Sequence, residues 1–309
     1  MVIFADNYQE SKAGFDAVSL MKQMEIPYAY YVYAVSHNGI ADYMHFGYYT
    51  EKDQQIHEAQ ENLANKMKGL IPEGVTHILD SGCGLGRTTW DLTRAGYDVT
   101  GISPHSQSLE MARAKYFEIK DHFITSSYED FSPQKKYDMI FFQESSQYID
   151  TQKIFKKASR LLRDQGFVLV CDEVRYSKNP LLLYNNRDQM IEFARIYGFD
   201  IMHNQVITKE VLPTRYYLPK TLRQRVDDIA GIFESSRPSV RQEVFDLAER
   251  WEKATRGFEL GQFGYEIFLF KKVTPNRSPN ILEKSLLSGH RLVSYGARGI
   301  KKIKHLTKR

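Results

Sequence analysis

From residue 77 onward, apolar runs alternate with stretches of helical spacing. HILDS (77–81), YDVTGIS (97–103), HFITSS (122–127), YDMIFFQ (137–143) and GFVLVCDE (166–173) read as strands. The fourth is apolar along most of its length, as expected of a parallel strand buried on both faces. Between them, TTWDLTRAG (88–96), SQSLEMARAKY (106–116) and TQKIFKKASRLLRDQG (151–166) carry apolar residues at helical spacing. Ile154, Phe155, Ala158, Leu161 and Leu162 mark the inward face of the last helix. Gly96 stands where a glycine ends a helix, and Ser106 stands where a hydroxyl caps one. A helix near 185–197, a strand near 199–210 and a late strand FGYEIFLFKK (263–272) complete the series. Repeated β–α units predict an α/β fold, with a doubly wound, mostly parallel, seven-stranded sheet and right-handed crossovers.

The last two strands are separated by about forty helix-forming residues, too many for a structureless loop. This segment, about 213–257, predicts a helical insertion acting as a lid over a ligand crevice. Residues 1–70 precede the sheet and predict a helical cap. They are rich in tyrosine: Tyr28, Tyr30, Tyr31, Tyr33, Tyr43, Tyr48 and Tyr49. The expected organisation is a cap (1–70), a core with its insertion (71–275) and a basic tail (276–309).

The chain has 309 residues and a formal charge of +4. Eight Lys/Arg and no acids lie between Lys284 and Arg309, so residues 1–283 carry 4 − 8 = −4. An acidic body argues against nucleic-acid binding. The tail interleaves these basic residues with apolar ones. Adsorption to an anionic membrane, packing on a second subunit of a homodimer, and a solvated terminus all remain open for it. No apolar run reaches the length of a membrane span. MVIFADNYQESK lacks the features of a signal peptide, so a cytoplasmic location is expected. The two cysteines, Cys83 and Cys171, lie in or beside apolar strands. They are expected to be reduced small residues, and no metal cluster is expected.

The candidate chemistry centres on HILDSGCGLGRTTW (77–90). A strand ends in Asp80, a glycine-rich turn follows, and a helix begins near Arg87. The spacing is Asp-x-Gly-x-Gly-x-Gly. Arg87 stands where a dinucleotide-binding turn needs its third glycine, and no Gly-Lys-Ser/Thr follows to make a P-loop. In open α/β sheets, ligands bind at the carboxyl ends of strands. That rule selects Asp80–Gly86, Ser103, Ser127–Tyr128, Gln143–Tyr148 and Asp172–Glu173.

The glycine-rich turn resembles the first motif of the class I S-adenosylmethionine (SAM)-dependent methyltransferases, and the fold that resemblance implies is Rossmann-like. DYMHFGYY (42–49) resembles the His-x-Gly-Tyr-Trp element of the small-molecule group, which includes sterol, tocopherol, sarcosine and sugar O-methyltransferases. FFQESSQYI (141–149) resembles that group's Glu-Ser-x-x-His element. The resemblance covers about residues 28–272. It implies SAM as cofactor, with Gly82, Gly84 and Gly86 under its methionine part and Asp80 at its amino-acid end. Ser103 stands where the family usually has a ribose-binding acid, with Gln107 as its helper. Ser127 and Tyr128 stand at the adenine position. Tyr48, in the segment that folds over SAM, and Gln143 join the cofactor set. Glu144, Gln147, Tyr148 and Asp172 are the catalytic candidates. Gln147 and Tyr148 replace the family's usual histidines, leaving Asp172 or Glu173 as substitutes and His45 as the nearest remaining histidine. Glu144 has a second candidate role, capping the helix that follows. The implied reaction is methyl transfer to nitrogen or oxygen of a small molecule. A C-methyltransferase or cyclopropane-synthase-like enzyme, an RNA methyltransferase and a catalytically inactive binding protein are the alternatives.

Overall fold

The computed structural model describes residues 15–16, 28–36, 40–41, 43–176, 185–233 and 237–273. The basic tail lies outside the described residues, as do most of the first 27. The elements begin with β1 (Phe15–Asp16), α1 (Tyr28–Val35), β2 (Ile40–Ala41), α2 (Ile56–Lys68), β3 (His77–Ser81) and α3 (Arg87–Arg94). Next come β4 (Asp98–Ser103), α4 (Ser106–Lys115), β5 (Phe123–Thr125), β6 (Tyr137–Gln143), α5 (Thr151–Leu161) and β7 (Leu162–Arg175). The chain continues with β8 (Asn185–Asn186), α6 (Arg187–Ile196), β9 (Phe199–Val206), α7 (Thr208–Gln224), α8 (Val226–Phe233), α9 (Val240–Glu259) and β10 (Phe263–Lys272). They divide into two compact units. One runs to residue 131 and includes 207–261; the other comprises 132–206 and the chain from 262 onward.

In the first unit, β3, β4 and β5 are parallel neighbours in the order β5-β4-β3. Helix α3 ends as its sequence predicts. Gly96 adopts φ +97°, its amide donates to Thr93 O, and the Tyr97 amide donates to Leu92 O. This reciprocal pair satisfies carbonyls that a helix end leaves orphaned. Cys83, Trp90, Leu109, Ala112, Tyr116, Ile119 and Phe123 bury one another, packing α3 and α4 against the strands. At about 1.5–3 kcal/mol per large side chain, such burial outweighs the modest intrinsic propensity of these short helices.

In the second unit, β6 and β8 run parallel to β7, and β10 runs antiparallel to both β7 and β9. Phe155 of α5 meets Phe270 and Phe199 with ring centroids 5.0 and 5.6 Å apart. Glu266 is fully buried in the apolar strand β10. It is tolerated because Arg187 Nε and Asn204 Nδ2 donate to it at 2.9 and 2.7 Å; unpaired, a buried carboxylate would be prohibitive.

The α/β class and mostly parallel strands agree with the sequence pattern. Several details differ. The second unit has a strand the sequence did not predict, β8, two residues long and paired with β7. Ser106 is the first helical residue of α4 rather than its cap, which is His105 without a side-chain cap bond. Helix α5 stops at Leu161, not near 166, because buried Leu162 already pairs with Tyr137. Strand β9 ends at Val206, and residues 208–210 open α7. The insertion therefore starts earlier than 213 and comprises three helices.

Candidate functional site

Asp80 and Ser81 end β3 and are buried. The turn after them holds Gly82, Gly84 and Gly86 at φ +85°, +54° and +84°, left-handed values that burden any residue with a β-carbon. Gly86 caps α3, and a β-carbon there would lie 2.7 Å from Phe123 and 2.9 Å from Ala112. The amides of Gly82 and Cys83 donate to Ile102 O at 2.8 and 3.1 Å, and that of Gly86 to Cys83 O at 2.8 Å. These three N–H groups hold the turn itself. Close approach of β4 needs Gly101, opposite Asp80 in register. A β-carbon at 101 would lie 2.6 Å from Thr89 Oγ1. The sequence reading missed Gly101; its signal was a glycine inside a strand pattern.

Asp80 accepts the Thr89 hydroxyl at 2.7 Å. Burial pushes its carboxyl up to about 6, with Thr89 pulling the other way. Both cysteines are free and buried, and burial pushes the Cys83 thiol up, away from nucleophilic use.

Residues 43–49 form a strap against this turn. Met44 Sδ lies 3.6 Å from the place a β-carbon on Gly84 would occupy. Tyr43 donates to Asp91 Oδ2 at 2.7 Å, and Arg87 Nε donates to the same carboxylate at 3.1 Å. Both partners lie on α3, the helix the turn opens into. Gln60 of α2 donates to His45 O at 2.6 Å and to Tyr43 O at 3.2 Å. Tyr48 is half-buried, with Lys66 Nζ 4.9 Å from its ring centroid. His45 is buried, its Nδ1 2.7 Å from Phe46 O. Burial lowers its pKa to about 4, so the ring is neutral and weakly basic.

The remaining first-unit candidates have local partners or local exposure. The Ser103 hydroxyl accepts the His105 amide at 3.2 Å. Gln107 is exposed in the first turn of α4. Ser127 donates to Asp130 Oδ2 at 2.6 Å, and Tyr128 is buried beside it. Tyr48, Asp80, the three glycines, Ser103, Gln107, Ser127 and Tyr128 thus belong to one unit.

The second unit carries Gln143 and the four catalytic candidates. Gln143 ends β6. Glu144 follows at φ +54°, a conformation costing a non-glycine residue about 1–3 kcal/mol. Its amide donates to Cys171 O at 2.9 Å, and its carboxylate accepts the hydroxyl of fully buried Tyr265 from β10. Glu144 does not cap the following helix; Asp150 does, accepting the Lys153 amide at 3.3 Å. Tyr265 was missed in the sequence, where it reads as one more aromatic in an apolar strand.

Asp172 is buried and accepts from Ser146 Oγ at 2.7 Å, the Gln147 amide at 3.0 Å and the Glu173 amide at 2.8 Å. Burial pushes its carboxyl up to about 7 against the pull of Ser146 and the Gln147 amide. It ties the short turn Ser146–Tyr148 to the end of β7. Gln147 contributes its backbone to that tie, and Tyr148 is 72% exposed. Among the described residues no cluster of His, Cys, Asp and Glu could hold a metal ion, and no helix is long and apolar enough to cross a membrane.

Residues 79–170 match a protein family described as "Methyltransferase domain". The chain is 26% identical over 137 residues to 27-O-demethylrifamycin SV methyltransferase of Amycolatopsis mediterranei, covering 42% of this chain and 50% of that protein. It thus spans half the length of that relative. It is 28% identical over 193 residues to ubiquinone biosynthesis O-methyltransferase of Rickettsia bellii, covering 61% of this chain and 73% of that one. Among solved structures it is similar to the [4+2]-cyclase SpnF, with a TM-score of 0.64 and 18% identity over 83% of this chain and 93% of that one. It is also similar to an O-methyltransferase from a trans-AT PKS multienzyme of Brevibacillus brevis in complex with S-adenosyl-L-homocysteine. There the TM-score is 0.60 and the identity 17%, over 75% of this chain and 84% of that one. At these identities the structures show the shared fold, which does not by itself choose a reaction.

Proposed function

We propose that the chain transfers the methyl group of SAM to an oxygen or nitrogen of a small-molecule acceptor; its match to a methyltransferase domain over residues 79–170 and its similarity to an O-methyltransferase support this. Oxygen is the stronger reading, since the ubiquinone-pathway relative is named an O-methyltransferase. The observation that carries the proposal is the turn Asp80–Gly86 with the strap against it. Left-handed φ at Gly82, Gly84 and Gly86 turns the chain sharply after Asp80, and Met44 of the strap lies against Gly84.

When bound, SAM supplies a methyl carbon on a sulfonium, and displacement at that carbon leaves S-adenosylhomocysteine (SAH). The chain's own groups orient, enclose and move a proton. The glycine turn receives the methionine part, and Asp80 orients its amino-acid end. Ser103 and Gln107 hold the ribose hydroxyls, Ser127 and Tyr128 the adenine, and Tyr48 and Gln143 complete the cofactor set. The insertion, Thr208–Glu259, serves as the lid. In-line displacement depends chiefly on alignment, and an alcohol acceptor also needs its proton removed. Glu144 is the base in this reading, since Tyr265 and the Cys171 carbonyl hold it in place. Asp172 is assigned a positioning role, because three internal donors already engage it.

Isothermal titration calorimetry with SAM and SAH tests the donor half, and no heat with either would end the enzyme reading. Mass spectrometry of a panel of phenols, alcohols and amines incubated with protein and SAM tests the acceptor half. Methylation confined to carbon would overturn the oxygen and nitrogen assignment.

A further inference from the structure

A strap against a glycine turn should take its backbone partners from the helices beside it. Part of it does, since the Tyr48 amide donates to Ala59 O at 2.7 Å and Asn62 Nδ2 to Tyr48 O at 3.2 Å. Two strap amides instead reach far downstream. Gly47 N–H donates to Thr214 Oγ1 at 3.1 Å, and Tyr49 N–H to Glu210 O at 2.9 Å. Both acceptors lie on α7, the first helix of the insertion. Thr214 is fully buried, so losing its hydroxyl would leave a buried amide without that acceptor.

The neighbouring residue reinforces the link. Arg215 is 1% exposed. Its guanidinium lies 3.9 Å from the Phe258 ring centroid and 5.3 Å from those of Phe46 and Trp251. Phe46 belongs to the strap; Trp251 and Phe258 belong to α9. A desolvated cation over aromatic faces is a strong local fastening. Helix α1 joins the same body. Tyr31 stacks on Trp251 and donates to Met44 O at 2.9 Å, Tyr30 donates to Glu243 at 3.1 Å, and Arg225 donates to Tyr33 O at 3.0 Å.

We propose that Thr214 is a positioning residue for the methyl donor: through Gly47 it sets the strap over the glycine turn. The insertion then completes the donor site as well as covering the acceptor. The proposal rests on reading that turn as the SAM site. It predicts that whatever displaces α7 lowers affinity for SAM, although α7 follows the turn by more than a hundred residues in sequence.

Thr214→Val removes the hydroxyl and keeps the shape. In the full chain, its Kd for SAH by calorimetry is expected to rise about tenfold, the effect of one buried hydrogen bond. Hydrogen exchange at the Gly47 amide should accelerate while the amides of α7, α8 and α9 keep their protection. Thr214→Ser should restore both. Glu252→Gln breaks the exposed Arg223–Glu252 pair inside the insertion; it controls for general loosening and should leave the Kd unchanged. Unchanged SAH binding in Thr214→Val overturns the proposal. So does failure of Thr214→Ser to restore it, or equal weakening by Glu252→Gln. Absence of SAH binding by the unaltered protein is a different result: it removes the donor-site reading and this proposal with it.

Discussion

The unit that carries the glycine turn and the unit that carries Asp172 use buried carboxylates differently. Asp80 has one side-chain donor, Thr89, and sits at the head of a turn made by three left-handed glycines. Asp172 has three donors from its own surroundings. Glu144, the residue directly after β6, is held by a tyrosine and by its backbone in a strained conformation. The difference separates a carboxylate with capacity left to orient a ligand from one that holds protein to protein. Both are buried, so what distinguishes them is the count and origin of their donors.

The harshest way to break this comparison is Gly86→Val. A side chain at φ +84°, aimed at Phe123 and Ala112, should abolish SAH binding and destabilise the unit by roughly 3 kcal/mol or more. Calorimetry and urea unfolding check both. Glu144→Gln comes next, with an expected loss of about 100-fold in kcat, the lower range for removing a general base, and an unchanged Kd for SAH. Full kcat would return Glu144 to a structural role.

Asp172→Asn should cost about 2 kcal/mol in urea unfolding by mismatching buried donors, with a smaller effect on kcat than Glu144→Gln. Its pH dependence sharpens the contrast. The folded pKa of Asp172, about 7, lies above its ordinary 3.8. Its contribution to stability is therefore full below 3.8 and lost as pH rises through 7. Asp80, pushed up to about 6, adds a loss of the same sign. His45 runs oppositely: its pKa falls from 6.5 to about 4, so its contribution is present above 6.5 and lost as pH falls through 4. Unfolding free energies across this range should show a shallower falling slope in Asp172→Asn, with Asp80's share remaining, and should lose the rising one in His45→Phe. The smallest expected effect is Tyr148→Ala, within about 0.5 kcal/mol in stability for so exposed a residue, with turnover unchanged. A large loss of turnover would give Tyr148 a catalytic role.

Much of the first unit was legible because its signals are local. Glycines at 82, 84 and 86, the helix stop at Gly96 and the apolar runs each act within a few residues. Tyr148 and Asp172 were harder. Their places in the sequence resemble catalytic positions, and the exposure of one and the donors that engage the other depend on what folds beside them. Tyr265 and Gly101 carried only faint signals, since their importance lies in residues of other segments, Glu144 after β6 and Thr89 of α3.

By itself, the sequence determined the α/β alternation, the glycine turn and the kind of ligand such a turn accepts, because backbone conformation and hydrophobic periodicity are set by near neighbours. The tertiary structure decided which acids are already engaged, that Tyr265 restrains Glu144, and that Thr214 of the insertion holds the strap at Gly47. Those contacts join residues more than twenty, and in places more than a hundred and fifty, positions apart. Only chain folding brings such groups within hydrogen-bonding distance.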